Sequence, residues 1–464
     1  MAQNPISSLI PRGSMGLKLL LVCLLVLLMG VPLLMVGGIV GQRQARATEV
    51  TTELGELAGG AQVVGGPMLL VPYQRVVQAT DDQGRAQRQV TRGSYVVFAK
   101  TGVAISTLHV VGQERRRGIY RAAGYIASTD FTANFDPADA IRGIGADTQL
   151  DWTAARVIMF VHDSRAVRDT ADLHFGDGST ATLEPMSDFS VATPNGEQPP
   201  TSLQAFAAPA PTTSGPHPFT VQTRLTLGGA QRFALAAFAQ DTTATIRGDR
   251  KDASADGYFR TNEALDPTEQ GFVATWRVPY VARGIEKAAD LASIGLDQTA
   301  SRDMGVSFVG ADDVYNGVVR AVAYGIMFIG IVFLATLVFE VVSRKKAHPA
   351  QYVLVGLAQC VFYLLLLSMT EIIGFTAAFI IAALATVSLL AYYAGETFKS
   401  RDVGIRALIG LALLYLAMYV LMTLEDFALL AGSIVAFVVI AATMIATRKI
   451  DWYGRGAPAE PTGD

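Results

Sequence analysis

Six long apolar runs, arranged as one, then a long polar gap, then five, constrain this chain more than any other feature. The first is Leu19 to Val40. The others are Ala321 to Phe339, Tyr352 to Met369, Ile372 to Tyr393, Ala407 to Thr423 and Phe427 to Ile445. Each has about the 18 to 20 residues with which a helix crosses a hydrocarbon core of about 30 Å. The arrangement predicts an α+β membrane protein: one N-terminal transmembrane helix, a large mostly β domain, and a C-terminal bundle of five transmembrane helices.

Charge placement orients the spans. Basic residues gather at Arg344, Lys345 and Lys346, at Lys399 and Arg401, and at Arg448, Lys449 and Arg455. The hairpins at Thr370-Glu371 and Leu424-Glu425-Asp426 hold none. Threading every basic loop to the cytoplasm puts both termini inside and residues 41–315 outside. The lipid bilayer is therefore the first partner implied.

Only 17% of residues are charged and 51% are hydrophobic, as a chain split between membrane and water requires. The net charge of −3 argues against a nucleic-acid partner. Both cysteines, Cys23 and Cys360, lie in apolar runs. The outer segment therefore holds no disulfide and must fold by its core alone.

Domain boundaries follow. Residues 1–14 read as a leader or an added remnant ahead of Met15, and 15–40 as the N-terminal anchor, longer than a signal peptide's apolar core and without a clean cleavage pattern. The β domain covers 41–315, the five-helix bundle 316–453, and a cytoplasmic tail 454–464. Gln42 to Leu57 carries helix formers and ends at Gly59-Gly60, so the first helix extends a few turns beyond the membrane.

Strand grammar then takes over: Met68–Val71, Ser94–Phe98, Val103–Val111, Ile119–Ile126, Arg156–Val161, Phe219–Leu227, Arg232–Phe238 and Gly271–Val278 are short, β-branched or aromatic, and bounded by turn residues. The proline-rich stretch 194–218 reads as a linker between two β subdomains or as an elaborated loop.

Catalytic and metal constellations are mostly absent from the sequence: no nucleophile elbow, no phosphate-cradling loop, no paired histidines at ligand spacing. His162-Asp163 and His174 with Asp177 are better read as hydrogen-bonded or exposed groups than as metal ligands. Neither a metal nor a cofactor is expected, and no enzymatic activity.

Acids near the membrane are more informative. Glu340 closes the second span, and Glu371, Glu425 and Asp426 sit where two hairpins turn. Such carboxylates often mark a functional path or a partner. Capping the following helix is the simpler reading for Glu371. Two adjacent acids at Glu425 and Asp426 exceed what capping needs, and Arg320, at the start of the second span, is placed to snorkel or to pair with an acid.

These residues carry a resemblance. HPAQYVLVGLAQCVFYLLLLSMTEIIGF (His348 to Phe375), LEDFALLAGS (Leu424 to Ser433) and TRKIDWY (Thr447 to Tyr453) are similar to signatures of the CreD family of bacterial inner-membrane proteins, associated with cell envelope integrity and the Cre two-component regulon. GGPMLLVPY, RRRGIYRAAGYIA and ATWRVPYVARG resemble the family's outer domain more patchily. The chain departs from it at Arg247 to Phe259, where the family carries a Trp and a His-Pro-Ser-Phe stretch.

The resemblance implies a bacterial inner membrane location with residues 41–315 periplasmic, and a role in envelope stress response. Motif by motif it singles out Glu371, Glu425 and Asp426, and His348, Gln351 and Tyr352 of the HPxQY segment. The family carries no settled molecular activity to transfer, and the reading the residues favour is a non-enzymatic protein whose β domain binds or senses a periplasmic protein or cell-wall component. The alternatives are a transporter or channel-like bundle using Glu371, Glu425 and Asp426, and an intramembrane enzyme acting on lipid or wall precursors. Against a transporter, the five C-terminal spans are odd in number and free of proline.

Overall fold

The structure is a computed structural model. It describes residues 15–80, 86–110, 115–117, 120–122, 124–145, 147–186, 203–213, 215–250, 253–262, 266–268, 271–308, 312–343, 347–423 and 428–448. The chain divides into two compact units, Glu49–Gly310 and a second formed by Met1–Thr48 with Ala311–Asp464. Helix α1, Met15–Glu56, contributes to both. It stops, as its glycines predict, at Gly59 and Gly60, whose φ values of 112° and 65° are open to few other residues.

Unit 49–310 is strand-rich, with two mixed sheets enclosing one core. The first runs Glu184–Pro185, Gln204–Pro209, Arg156–Val161, Gln62–Thr80, Arg232–Ala236, Asp303–Phe308 and Ala253–Asp256, with Ala86–Val97, Thr148–Leu150 and Ala288–Asp290 off that path. The second runs Thr180–Thr182, Asp172–Phe175, Phe219–Ala230, Gly124–Phe135, Ala99–Val110, Ala239–Gly248, Gly271–Val278 and Asp266–Thr268.

Strands from either side of 194–218 interleave in both sheets. Phe219–Ala230 pairs along its whole length with Gly124–Phe135, and 194–218 itself supplies the strand Gln204–Pro209, so it lies within a single unit rather than joining two. Short helices α2 (Pro137–Ala140), α3 (Tyr280–Arg283) and α4 (Leu291–Ser301) decorate it.

Alternation sets the core. Gly124–Phe135 buries every second residue, as a strand with one wet face does. Arg156–Val161 is buried at five consecutive positions. Rings from the two sheets meet edge-on or tilted, Tyr125 on Phe233 and Phe272 on Phe308 with centroids 5.9 and 6.2 Å apart.

Arg283, in α3, is fully buried: its guanidinium lies 3.9 Å from the Phe98 ring centre and donates to the Ile285 and Glu286 carbonyls at 3.0 and 2.8 Å. Burial pushes it down to about 10. Within Arg247–Phe259, Asp256 sits on a strand and takes the Arg232 guanidinium at 3.0 Å, while Asp303 takes it at 2.8 Å.

The second unit adds α5 (Asp312–Ala323), α6 (Gly325–Ser343), α7 (Pro349–Ile373), α8 (Phe375–Thr397), α9 (Arg401–Thr423) and α10 (Ala428–Thr447) to the start of α1. Four helices among the described residues are long and apolar enough to cross a membrane, or five when α5 and α6 count as one bent span. The remaining apolar run of the sequence is covered by α10.

The run expected as one span from Ala321 to Phe339 is broken: its two helices bend by 48° at Tyr324, beside Gly325. A glycine at a helix junction is a usual cause of such a kink. In α1, Val22, Met29, Leu33, Val36 and Val40 are buried at heptad spacing, whereas Leu20, Leu24, Leu27, Val31 and Leu34 are exposed apolar residues suited to lipid.

Candidate functional site

Two carboxylates organise the helical unit, and each is met by a tyrosine hydroxyl and by a cation from α1. The first is Glu340, in the last turn of α6 and only 6% exposed. It is ion-paired with Lys18 from the first turn of α1. Tyr352, in the first turn of α7, donates its hydroxyl to Glu340 Oε2 at 3.1 Å, while its ring stands edge-on to Phe333 with centroids 5.6 Å apart. A buried carboxylate is tolerated only when a charge and a hydrogen bond replace its water.

The second is Glu371, in the last turn of α7. Tyr315 of α5 donates to its Oε1 at 2.9 Å, and Arg43 Nη1 lies 3.9 Å from Oε2. The carboxylate is 11% exposed and the arginine 55%.

These knots sit at opposite ends of the apolar stretch. Lys18 and Arg43 are separated by about 38 Å along a straight helix, and Tyr352 and Glu371 by about 28 Å. The second figure matches the hydrocarbon thickness of a bilayer. Between the knots α1 packs closely on the bundle: a Cβ on Gly356 of α7 would come 2.6 Å from Met29 Sδ and 2.9 Å from the Phe333 ring. Glycine at that point lets the helices approach.

The HPxQY residues divide between two tasks. His348 Nδ1 accepts from the Ala350 amide at 3.2 Å, and the His348 amide donates to Gln351 Oε1 at 2.9 Å, a reciprocal cap for α7. Gln351 Nε2 also reaches Thr397 Oγ1 at 3.4 Å. Tyr352 alone of the three joins a charged cluster.

The capping role expected for Glu371 does not hold. It belongs to the end of α7, and the cap residue of α8 is Gly374, with no side-chain hydrogen bond. A carboxylate at a helix C-terminus opposes the helix dipole, so Arg43 and Tyr315 supply what the helix does not.

Arg320 lies half-buried in the last turn of α5, and the charged neighbour found at Glu371 is Arg43. Glu425 and Asp426 lie outside the described residues. Lys18, Arg43 and Tyr315 were not singled out from the sequence. The available signal was that Lys18 and Arg43 flank the first apolar run on its two sides, as Glu340 and Glu371 flank others. What contact order hid was which cation meets which acid.

Comparison with known proteins adds a family. The family model described as Inner membrane protein CreD matches residues 14–453. Among curated proteins, Inner membrane protein CreD of Escherichia coli (strain K12) is 25% identical over 441 residues, covering 93% of this chain and 92% of its own.

Proposed function

The chain belongs to the CreD family of inner membrane proteins, and from that premise we propose that it serves cell envelope integrity by binding and coupling rather than by catalysis. The β unit binds or senses a periplasmic partner, and the helical unit holds it in the membrane and receives the signal. One observation carries this reading: α1 is a single helix from Met15 to Glu56, ion-paired to the bundle at both ends of its apolar stretch and continuing into the β unit. A continuous helix transmits tilt or rotation where a flexible linker would lose it.

The alternation of basic and non-basic loops supports an orientation with both termini cytoplasmic and residues 41–315 periplasmic. Single cysteines at 344–346 are expected to resist an impermeant thiol reagent in intact cells, and cysteines in the β unit to react. Labelling at 344–346 would reverse the orientation.

The decisive experiment inserts Gly-Ser-Gly-Ser between Thr48 and Glu49, leaving both units intact and cutting the helix. Envelope-stress resistance is expected to fall to that of cells lacking the protein, at unchanged membrane levels. Normal resistance would remove the coupling reading.

A transporter or channel-like bundle is the second reading, favoured by the bend between α5 and α6, since transporters often break helices near their sites. It requires the Glu371 charge for function, whereas coupling needs only its position. Glu371→Gln separates the two: a mild phenotype supports coupling, an abolished one supports transport.

A further inference from the structure

Within unit 49–310 a cleft of about 590 Å³ opens beside the last turn of α1, inside the roughly 300 to 1,000 Å³ range of ligand sites. Its charged lining comes from Glu56 on α1 and from the segment Asp163 to Arg168. Leu57, Ala58, Tyr125, Ala166 and Val167 line the rest together with three glycines.

Two of the four charges are already committed to each other. Arg165 grips Asp163 with Nε at 3.0 Å from Oδ1 and Nη2 at 2.7 Å from Oδ2. That grip holds the Asp163 carboxyl below its ordinary range and raises the guanidinium.

Arg168 and Glu56 are different. Neither side chain has a hydrogen bond or ion pair among the described residues, Glu56 sensing Arg165 only through its field. The Arg168 guanidinium lies along the backbone at Gly228, where a Cβ would meet Nη2 at 3.2 Å. Glu56 stands at a helix C-terminus whose last turn has no basic residue. Helix dipole and carboxylate there add to the same negative potential, which a bound cation would relieve. The cleft therefore offers one unanswered negative site and one unanswered positive site in a single lining.

We propose that this cleft binds a zwitterionic short peptide, its ammonium on Glu56 and its terminal carboxylate on Arg168. The cleft is roomier than a single headgroup or free anion needs, and Leu57, Ala58, Ala166 and Val167 in its lining suit small apolar side chains between the two charged ends. This inference rests on reading the β unit as a binding module and names the ligand class.

The test titrates trialanine into the full-length protein in nanodiscs by calorimetry, with N-acetyl-trialanine, trialanine amide, phosphoethanolamine and inorganic phosphate as comparison probes. Trialanine is expected to bind, and blocking either end to weaken it at least tenfold. Glu56→Gln should reduce sensitivity to N-acetylation, and Arg168→Gln sensitivity to amidation, with unchanged melting temperatures, since both side chains are exposed.

No heat with trialanine, wild-type sensitivity to both blocking groups in the two variants, or preferential binding of phosphate or phosphoethanolamine overturns the peptide assignment. Each of those results leaves the helix-insertion phenotype standing. Failure there, with peptide binding intact, would remove the coupling and keep the site.

Discussion

At Lys18 the carboxylate partner is buried, ion-paired and hydrogen-bonded by a buried tyrosine; at Arg43 the partner accepts one tyrosine hydroxyl and sees its cation across 3.9 Å from a largely exposed side chain. Each knot joins a glutamate, a tyrosine and an α1 cation, lysine at one and arginine at the other, and the second is the more open to solvent. Lys18 is itself 37% exposed, but the carboxylate it meets is 6% exposed, and a carboxylate so buried is left uncompensated when its cation is removed. A pair reached by water and salt is weak and adjustable. The contrast makes the Lys18 end of α1 a fixed attachment and the Arg43 end, nearer the β unit in sequence, the adjustable one.

The largest effect is expected at the fixed end. Lys18→Met leaves the buried Glu340 carboxylate with no cation and only the Tyr352 hydroxyl, and should cost about 3 kcal/mol in reversible unfolding of the purified protein in mixed micelles. Replacing both Lys18 and Glu340 with Met should recover most of that loss, because the stranded charge goes with its partner. A single mutant as stable as wild type would mean that the two ends do not differ.

Next comes the packing between the knots. Gly356→Val drives a branched side chain into Met29 and Phe333, and overpacking of this kind costs about 1 to 3 kcal/mol. Release of α1 should show as faster cross-linking or proteolysis near Arg43. If the Lys18 knot holds, residues around Lys18 should stay protected, and equal release at both ends would show one rigid contact instead of two.

A third Tyr-to-carboxylate pair, in the β unit, calibrates the motif away from lipid. Tyr73 donates to Asp290 and also packs on Tyr95, with centroids 4.9 Å apart. Burial, then the hydrogen bond to Asp290, pushes its phenol up to about 12. Because the folded value exceeds the ordinary value of about 10, this contribution is fully present below pH 10 and lost as pH rises through 12. The phenolate ultraviolet band of wild type minus Tyr73→Phe should titrate in that window. At neutral pH the substitution should cost about 1 kcal/mol, and a difference band near pH 10 would show that Asp290 does not hold the proton on the ring.

Period and charge were legible in the sequence wherever one residue's neighbours decide the outcome. The apolar runs became helices, and strands such as Arg156–Val161 and Gly271–Val278 fell where β-branched residues alternate or cluster. Ala239–Gly248 was missed because AQDTTATIRG has few large apolar residues, yet it is a central strand pairing in parallel with Ala99–Val110. Parallel partners distant in the chain leave no local mark. The same holds for the site: Glu340 and Glu371 were visible as costly acids, but Lys18 reaches Glu340 across more than three hundred residues, and only tertiary packing selects it. The bend at Tyr324 was hidden because glycine inside an apolar run also serves close packing, as Gly356 shows.

The smallest effect belongs to the yielding end, and it bears most directly on how the two ends differ. Arg43→Gln or Glu371→Gln removes a pair whose cation is 55% exposed, and exposed pairs are worth at most about 1 kcal/mol. In the latter variant Tyr315 still donates to the side-chain amide oxygen that replaces the carboxylate, so stability should fall by only a few tenths. Salt should act alike: raising ionic strength from about 0.15 to 1 M shortens the screening length from about 8 to 3 Å. Wild type should soften at this end, seen as faster amide exchange around Arg43, while Arg43→Gln shows no further change. The Lys18 end, whose carboxylate is 6% exposed, should change less with salt in both proteins. Equal salt sensitivity at the two ends would mean that water reaches Glu340 as readily as Glu371, and the division into a fixed and an adjustable attachment would fail.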